Sequence, residues 1–256
     1  MPAIKKESFG KLKNGEEAHI FTLRNNKGNE VKVTDFGARI VSWRFRNAAF
    51  ENKFVLVGHK SVAEYESDDK DLGVVFVDGK SHLADKIWNA EQTLEGVKFS
   101  IDEGGKKISV IYSVSNDNEL SIKYEAHGDV DDVSTRVVFS GDALSAPDFK
   151  VFSNDFKSID DGKWALIDRP AEVEMELGEF GFDIGCPIDY LDGGLKNGAD
   201  IFSAAEKLLL KMYATQDNVH VEKLPDGFAI KTSGSKKTDD GVIKSQTVYV
   251  MKNRKE

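Results

Sequence analysis

The sequence predicts an all-β fold of antiparallel strands, and three observations carry the prediction. Apolar and polar residues alternate: Ile108, Val110, Tyr112 and Val114 fall on one face and Lys107, Ser109 and Ser113 on the other, the period of a half-buried strand. The same alternation resumes at Leu120, Ile122, Tyr124 and Ala126, and the turn residues Ser115-Asn116-Asp117-Asn118-Glu119 between the two runs predict a hairpin. Helix signals are scarce. Residues 61–65 (SVAEY) place a Ser cap three residues before Glu64 and predict one short turn, and residues 203–206 are too short for more than a loop. Many strands with almost no helix describe a sandwich or barrel.

In chain order, alternation predicts strands at 17–23, 31–34, 39–44 and 54–57, then at 97–102 before the Gly104-Gly105 turn. The hairpin follows, and then strands at 135–139, 171–177, 207–215, 219–222, 228–232 and 246–251. In 172–177 (EVEMEL) acids alternate with apolar residues, which reads as one wet and one buried face rather than an acidic ridge. Gly193-Gly194 marks a turn, and residues 233–241 (SGSKKTDDG) read as an exposed loop. With no repeat and no linker, residues 1–256 are expected to form one domain.

Composition bounds the function. The chain has 256 residues, 40% hydrophobic and 31% charged, enough to bury a core without staples. No apolar run reaches the ~18–20 residues of a membrane span. The opening MPAIKKESFG lacks the apolar stretch of a secretory signal, so the expected compartment is the cytoplasm. A formal net charge of −9 weighs against nucleic acid or an anionic membrane as partner. The one cysteine, Cys186, permits no internal disulfide and no thiolate zinc site, and nothing basic in its neighbourhood would activate it as a nucleophile. The acidic runs 68–71, 129–132 and 160–162 lack the spacing of a calcium loop and read as solvated turns, so no metal is expected. There is no phosphate-binding glycine loop and no serine nucleophile elbow.

The stretch 22–43 (TLRNNKGNEVKVTDFGARIVSW) resembles the opening of the aldose 1-epimerases, the galactose mutarotases. Asp35-Phe36-Gly37-Ala38-Arg39-Ile40-Val41-Ser42 stands for that family's N/D-[YF]-G-A-x-[IL]-x-S signature, with Gly37 allowing a kink and Ala38 close packing. Residues 54–66, Asp85-Lys86-Ile87-Trp88, residues 120–126, 212–221 and 241–251 also resemble family segments. The resemblance implies a galactose mutarotase-like β-supersandwich and a small aldohexose as ligand, with no cofactor. It also implies interconversion of α and β anomers by general acid–base catalysis, a carboxylate working on the C1 hydroxyl and a histidine on the ring oxygen.

The chain departs from the family where that chemistry sits. In Ser81-His82-Leu83-Ala84-Asp85, Ala84 occupies the position of a family histidine and His82 a variable one. Between Gly73 and Ser81 no arginine remains, although the family carries an arginine loop there, and 256 residues is short for a complete mutarotase. In Thr135-Arg136-Val137-Val138-Phe139, Arg136 takes the place of the catalytic histidine, and an arginine stays protonated. Gly198-Ala199-Asp200 keeps the family aspartate, with Ile201 in place of the histidine that follows it. The segment 229–234 (AIKTSG), where the family base lies, has no glutamate.

The candidate site residues are therefore His82 and Asp200 as substitute catalytic groups and Arg136 and Trp164 as sugar contacts. Arg136 either points outward on the wet face or fills the vacated pocket, where a buried arginine would need an acid, with Asp200 as the expected partner. Trp164, read as loop-borne, is the candidate for stacking on a sugar ring, whereas Trp43 and Trp88 read as core. Of the remaining histidines, His19, His127 and His220 are expected to face solvent and His59 to pack or line a rim. The leading expectation is a sugar-binding pseudoenzyme, the second an epimerase with substituted groups, and the third an interaction module whose cleft has closed. His82, Arg136 and Asp200 lining one open cleft is what binding would require.

Overall fold

The computed structural model of the chain describes residues 3–67, 71–158, 164–175, 177, 180–184, 190–191 and 194–253, with 152–158, 164–175 and 190 described by their backbone. Among the described residues strand predominates and α1 (Val62–Ser67) is the one helix, so the all-β expectation holds. The N-terminal part forms β1 (Ala3–Lys11), β2 (Glu17–Arg24), β3 (Glu30–Thr34), β4 (Ile40–Arg46) and β5 (Asn52–Phe54). Helix α1 (Val62–Ser67) precedes β6 (Val75–Val77), β7 (Asn89–Gln92), β8 (Val97–Glu103), β9 (Lys106–Val114), β10 (Glu119–His127), β11 (Val133–Thr135) and β12 (Val137–Ser140). The second half gives β13 (Asp148–Ser158), β14 (Trp164–Met175), β15 (Phe180–Asp183), β16 (Tyr190–Leu191), β17 (Leu195–Ser203), β18 (Leu208–Ala214), β19 (Asn218–Leu224), β20 (Gly227–Ser233) and β21 (Ile243–Asn253).

Strands β1 to β5 pair in sequence order as one sheet. A larger sheet runs β12-β20-β19-β15-β13-β17-β18-β21-β10-β9-β8-β7, with β14 on β13 and β16 on β17, and a small ladder joins β11 to β6. The expected hairpin is β9–β10, where Leu120 pairs with Val114 and Ala126 with Ile108. Strand β21 lies between β10 and β18 and so joins the two halves of the large sheet.

The two sheets face each other across a continuous apolar core in which Phe21 of β2 meets Phe99 of β8 edge-on at 5.6 Å, with Trp43 and Trp88 fully buried. Each such aromatic, taken wholly out of water, contributes about 1.5–3 kcal/mol before its ordering cost. The Asp35–Ala38 signature forms the joint between the sheets. Gly37 and Ala38 both take left-handed backbone, with φ of 70° and 48°, and a Cβ on Gly37 would stand 2.5 Å from the Ala84 carbonyl oxygen. The Tyr112 hydroxyl donates to the Ala38 carbonyl at 2.8 Å. Beside the signature, His19 Nδ1 lies 2.9 Å from Asp35 Oδ2, and burial pushes the Asp35 carboxyl up against the hydrogen bonds from His19.

Several elements differ from expectation. The helical turn runs on to Ser67, and its Glu64 carboxylate accepts the Lys60 amide at 2.8 Å. The strand expected at 54–57 ends at Phe54, leaving Leu56 as a single bridge to Phe139. Strand β1 escaped notice because it is an edge strand whose only buried side chain is Phe9; its lysines and glutamate blunt the edge and erase the alternation. Strand β17 escaped because it is buried on both faces, with a register shift between Asn197 and Ala199. Trp164 opens β14 opposite Lys157 rather than standing in a loop, and its side chain lies outside the described residues. Cys186, residues 68–70 and residues 160–162 also lie outside them.

Candidate functional site

The site is built at the β12 end of the large sheet. Val137 of β12 pairs with Ile230 of β20, and Ile230 with Val221 of β19; all three point into the core. The alternate residues Val138, Ala229 and Glu222, paired in a row across the same strands, therefore project from the opposite face. Arg136 precedes β12 and shares that outer face. Its guanidinium donates from Nη2 and Nε to Glu222 Oε2 at 2.7 and 3.2 Å, and from Nη1 to the Asp71 carbonyl oxygen at 3.2 Å. The Arg136 side chain is 14% exposed and Glu222 is 36% exposed, so the pair is partly desolvated and its loss leaves a half-buried cation.

Arg136, Glu222, Asp71 and Val138 line a cavity of about 510 Å³ whose other walls include Val57, His59, Leu72 and Leu224. Beneath them Leu72, Val138 and Ala229 belong to an apolar cluster that also holds Val41 and Tyr65. The His59 ring meets Tyr65 edge-on at 4.7 Å, and the His59 amide donates to the Tyr65 hydroxyl at 3.1 Å. A second opening of about 890 Å³ adjoins the cavity across Val57, Leu224, Pro225 and Asp226; Asp142, Asp148 and Lys223 line it. Next to Arg136 on the sheet stands Lys231, whose Nζ lies 4.5 Å from the Phe76 ring centroid.

The structure scatters the residues expected to meet. His82 is exposed in a turn closed by the Ala84 amide and the Ser81 carbonyl, and it lines neither the Arg136 cavity nor the one beside Arg39. Asp200 sits on β17, accepting from Asn197 Nδ2 at 3.0 Å with Lys211 Nζ at 3.4 Å. The expected Arg136–Asp200 pairing is replaced by Arg136–Glu222. Five strand steps of the sheet order separate β12 from β17, roughly 24 Å along the sheet at the usual spacing. Among the described residues no hydrogen bond, ion pair or cavity brings His82, Arg136 and Asp200 together. Glu222 was the missed partner: the alternation of β19 already placed it on the outer face with His220, but nothing in the sequence said which strand lies beside Arg136. Among the described residues no group of three or more His, Cys, Asp or Glu side chains is arranged to hold a metal ion.

The antiparallel sandwich is the galactose mutarotase-like fold, and comparison with solved structures shows it. The galactose 1-epimerase of Lactobacillus acidophilus NCFM superposes with a TM-score of 0.74 at 13% identity, covering 100% of both chains. A GalM/aldose epimerase homologue from C. elegans gives 0.71 at 15% identity over 91% of this chain and 98% of that one. A putative mutarotase (YeaD) from Salmonella typhimurium gives 0.59 at 10% identity over 93% and 91%. No protein-family model matches the sequence, and no curated protein does.

Proposed function

We propose that this chain is a divergent member of the aldose 1-epimerase family, one domain over residues 1–256, that binds a sugar in the Arg136 cavity without interconverting its anomers by the family's route. The observation that carries the reading is the fixed state of Arg136. Ring opening needs one group to take a proton and another to give one near neutral pH. A guanidinium tied to Glu222 and to the Asp71 carbonyl stays charged and is held still. It remains suited to donating hydrogen bonds to sugar hydroxyls, as Glu222 is to accepting them. The volume of about 510 Å³ falls in the range of small-molecule sites, with apolar walls and a few convergent polar groups. No helix of the described residues is long and apolar enough to cross a membrane; a cytoplasmic setting belongs to the same proposal.

The test is polarimetry of freshly dissolved α-glucose and α-galactose. The expected rate with protein equals the buffer blank, while NMR titration with sugar moves the methyl signals of Leu72 and Val138 in the wild type and not in R136M. Absence of any shift at high sugar would overturn the binding claim.

One observation favours a second reading. His59 and Glu222 line the same cavity, an imidazole and a carboxylate, the two group types that anomer exchange uses. Acceleration of mutarotation that disappears in both H59A and E222Q would replace the pseudoenzyme with an epimerase of substituted groups.

A further inference from the structure

Val138 of β12 and Glu222 of β19 line the Arg136 cavity. Two residues further along the same strands, about 7 Å on, stand Ser140 and Leu224, joined in one row by Gly227 of β20. Ser140 and Gly227 line the second opening, and Leu224 lines both. The two cavities therefore follow one another along the same strands. They meet at Val57, Leu224 and the β19–β20 turn, Pro225 and Asp226. The Arg136 cavity, about 510 Å³, is by itself of small-molecule size. A single hexose seated there leaves the adjoining 890 Å³ open.

The far wall of the second cavity is fixed in place. The Gly141 amide donates to the Asp226 carbonyl at 2.8 Å and the Leu144 amide to the Ser140 carbonyl at 3.0 Å. The Ser203 hydroxyl donates to the Ser145 carbonyl at 3.0 Å. Next to that tie Ala146 is held left-handed, with φ of 40°, a conformation that a residue with a side chain keeps only where its surroundings over-determine it. Leu224 and Pro225 offer apolar surface at the junction. Beyond them the carboxylates of Asp142, Asp148 and Asp226 outnumber the one cation, Lys223, so this wall accepts hydrogen bonds from hydroxyls and disfavours an acidic ligand.

We propose that the two cavities form one groove for a neutral glycan of two or more residues, with one ring in the Arg136 cavity, the next against Asp142 and Asp148, and the glycosidic link over Leu224 and Pro225. The proposal rests on the sugar-binding reading above and names its substrate class. In a glycan the C1 of every residue but the last is bonded to its neighbour, so ring opening is closed to it. A site for such residues requires no acid–base pair, and an Arg136 held fixed by Glu222 takes away nothing that this ligand uses.

The experiment titrates the full chain with galactose, glucose, β-1,4-galactobiose, cellobiose and maltose by calorimetry and methyl NMR. The expected result is that a disaccharide binds at least about ten-fold tighter than its parent hexose. Hexose moves the methyl signals of Leu72 and Val138; the disaccharide also moves those of Leu144, which lines the second cavity and not the first. D148W, which puts a bulky ring at an exposed position of the second cavity, removes the difference between the two affinities. Equal affinity for hexose and all three disaccharides overturns the groove and leaves the sugar reading standing, as does a gain that survives D148W in a protein folded by circular dichroism. A disaccharide that moves Leu144 but neither Leu72 nor Val138 overturns both the joined groove and the Arg136 cavity as the sugar site. No binding of any probe overturns both. If D148W does not fold, the wild type decides: a disaccharide that binds tighter without moving Leu144 overturns the groove.

Discussion

The Arg136 guanidinium reaches past Ala229 to the Glu222 carboxylate two strands away, with Nη2 2.7 Å and Nε 3.2 Å from one oxygen, Oε2. The reach is diagonal, because Glu222 pairs with Ala229 and Ala229 with Val138, two residues on from Arg136, and it passes beside Ala229, which ends at its methyl group. The contact couples the edge strand of the sheet to its third member without a backbone bond between them, and it also forms one wall of the cavity.

Removing one member of the pair should cost more than removing both. E222Q leaves Arg136 partly buried against a neutral amide, and a loss of about 1–3 kcal/mol is expected, scaled down from a fully buried pair because Glu222 is partly exposed. R136M/E222Q should recover part of it. Urea unfolding of the four proteins in a double-mutant cycle measures the coupling; a coupling indistinguishable from zero would show that the contact carries no stability.

Ala229 sets the span of the contact. A229L should fill the space over which Arg136 reaches, destabilise the protein by about 1–3 kcal/mol through overpacking of the apolar cluster beneath, and abolish sugar-induced NMR shifts. A variant that still binds sugar with wild-type affinity would place the ligand elsewhere.

Gly37 tolerates no side chain. Its φ of 70° and the 2.5 Å approach to the Ala84 carbonyl predict that G37A loses at least about 2 kcal/mol, from left-handed strain and backbone collision together. Gly104, also left-handed but with nothing near its absent Cβ, is the control: G104A should lose no more than the strain, about 1 kcal/mol. Thermal denaturation of the two variants checks the ordering.

Alkaline pH should unfold the protein through its buried phenols. Burial pushes Tyr112, Tyr124 and Tyr249 far above their ordinary value. In the unfolded chain they ionise near pH 10, so above that pH the unfolded state binds fewer protons than the folded one and stability falls as pH rises. Below it their contribution is complete. The phenolate absorbance of these three tyrosines is expected in a single step that coincides with loss of circular dichroism, while Y112F, Y124F and Y249F each remove one share of that step. Phenolate signal from them in the intact fold would contradict their burial.

What the sequence disclosed follows from which forces are local. The β9–β10 hairpin was readable because one face of each strand is buried and the other wet, so Ile108 to Val114 and Leu120 to Ala126 print their alternation directly. The core roles of Trp43 and Trp88 were readable from the signature segments around them. Strand β17 was not, because Asn197, Asp200 and Ile201 are all buried and a bulge breaks the period. The site was legible only by halves. Arg136 stood out as a charge in an apolar strand, yet its partner depends on β19 lying one strand beyond β20, an adjacency no local pattern encodes; Asp200, which matches the family motif in sequence, lies five strands off.

The position of β21 sets when the protein can become whole. It fills the gap between β10 and β18 and is the last strand of that sheet in chain order. On the ribosome, every other strand of the sheet emerges before the one that unites its two flanks. Until then, two half-sheets wait with open edges, the kind that invite pairing with a stranger. Completion of this sandwich therefore waits on β21, and its yield in the cell should depend on how well those edges are shielded until that strand arrives.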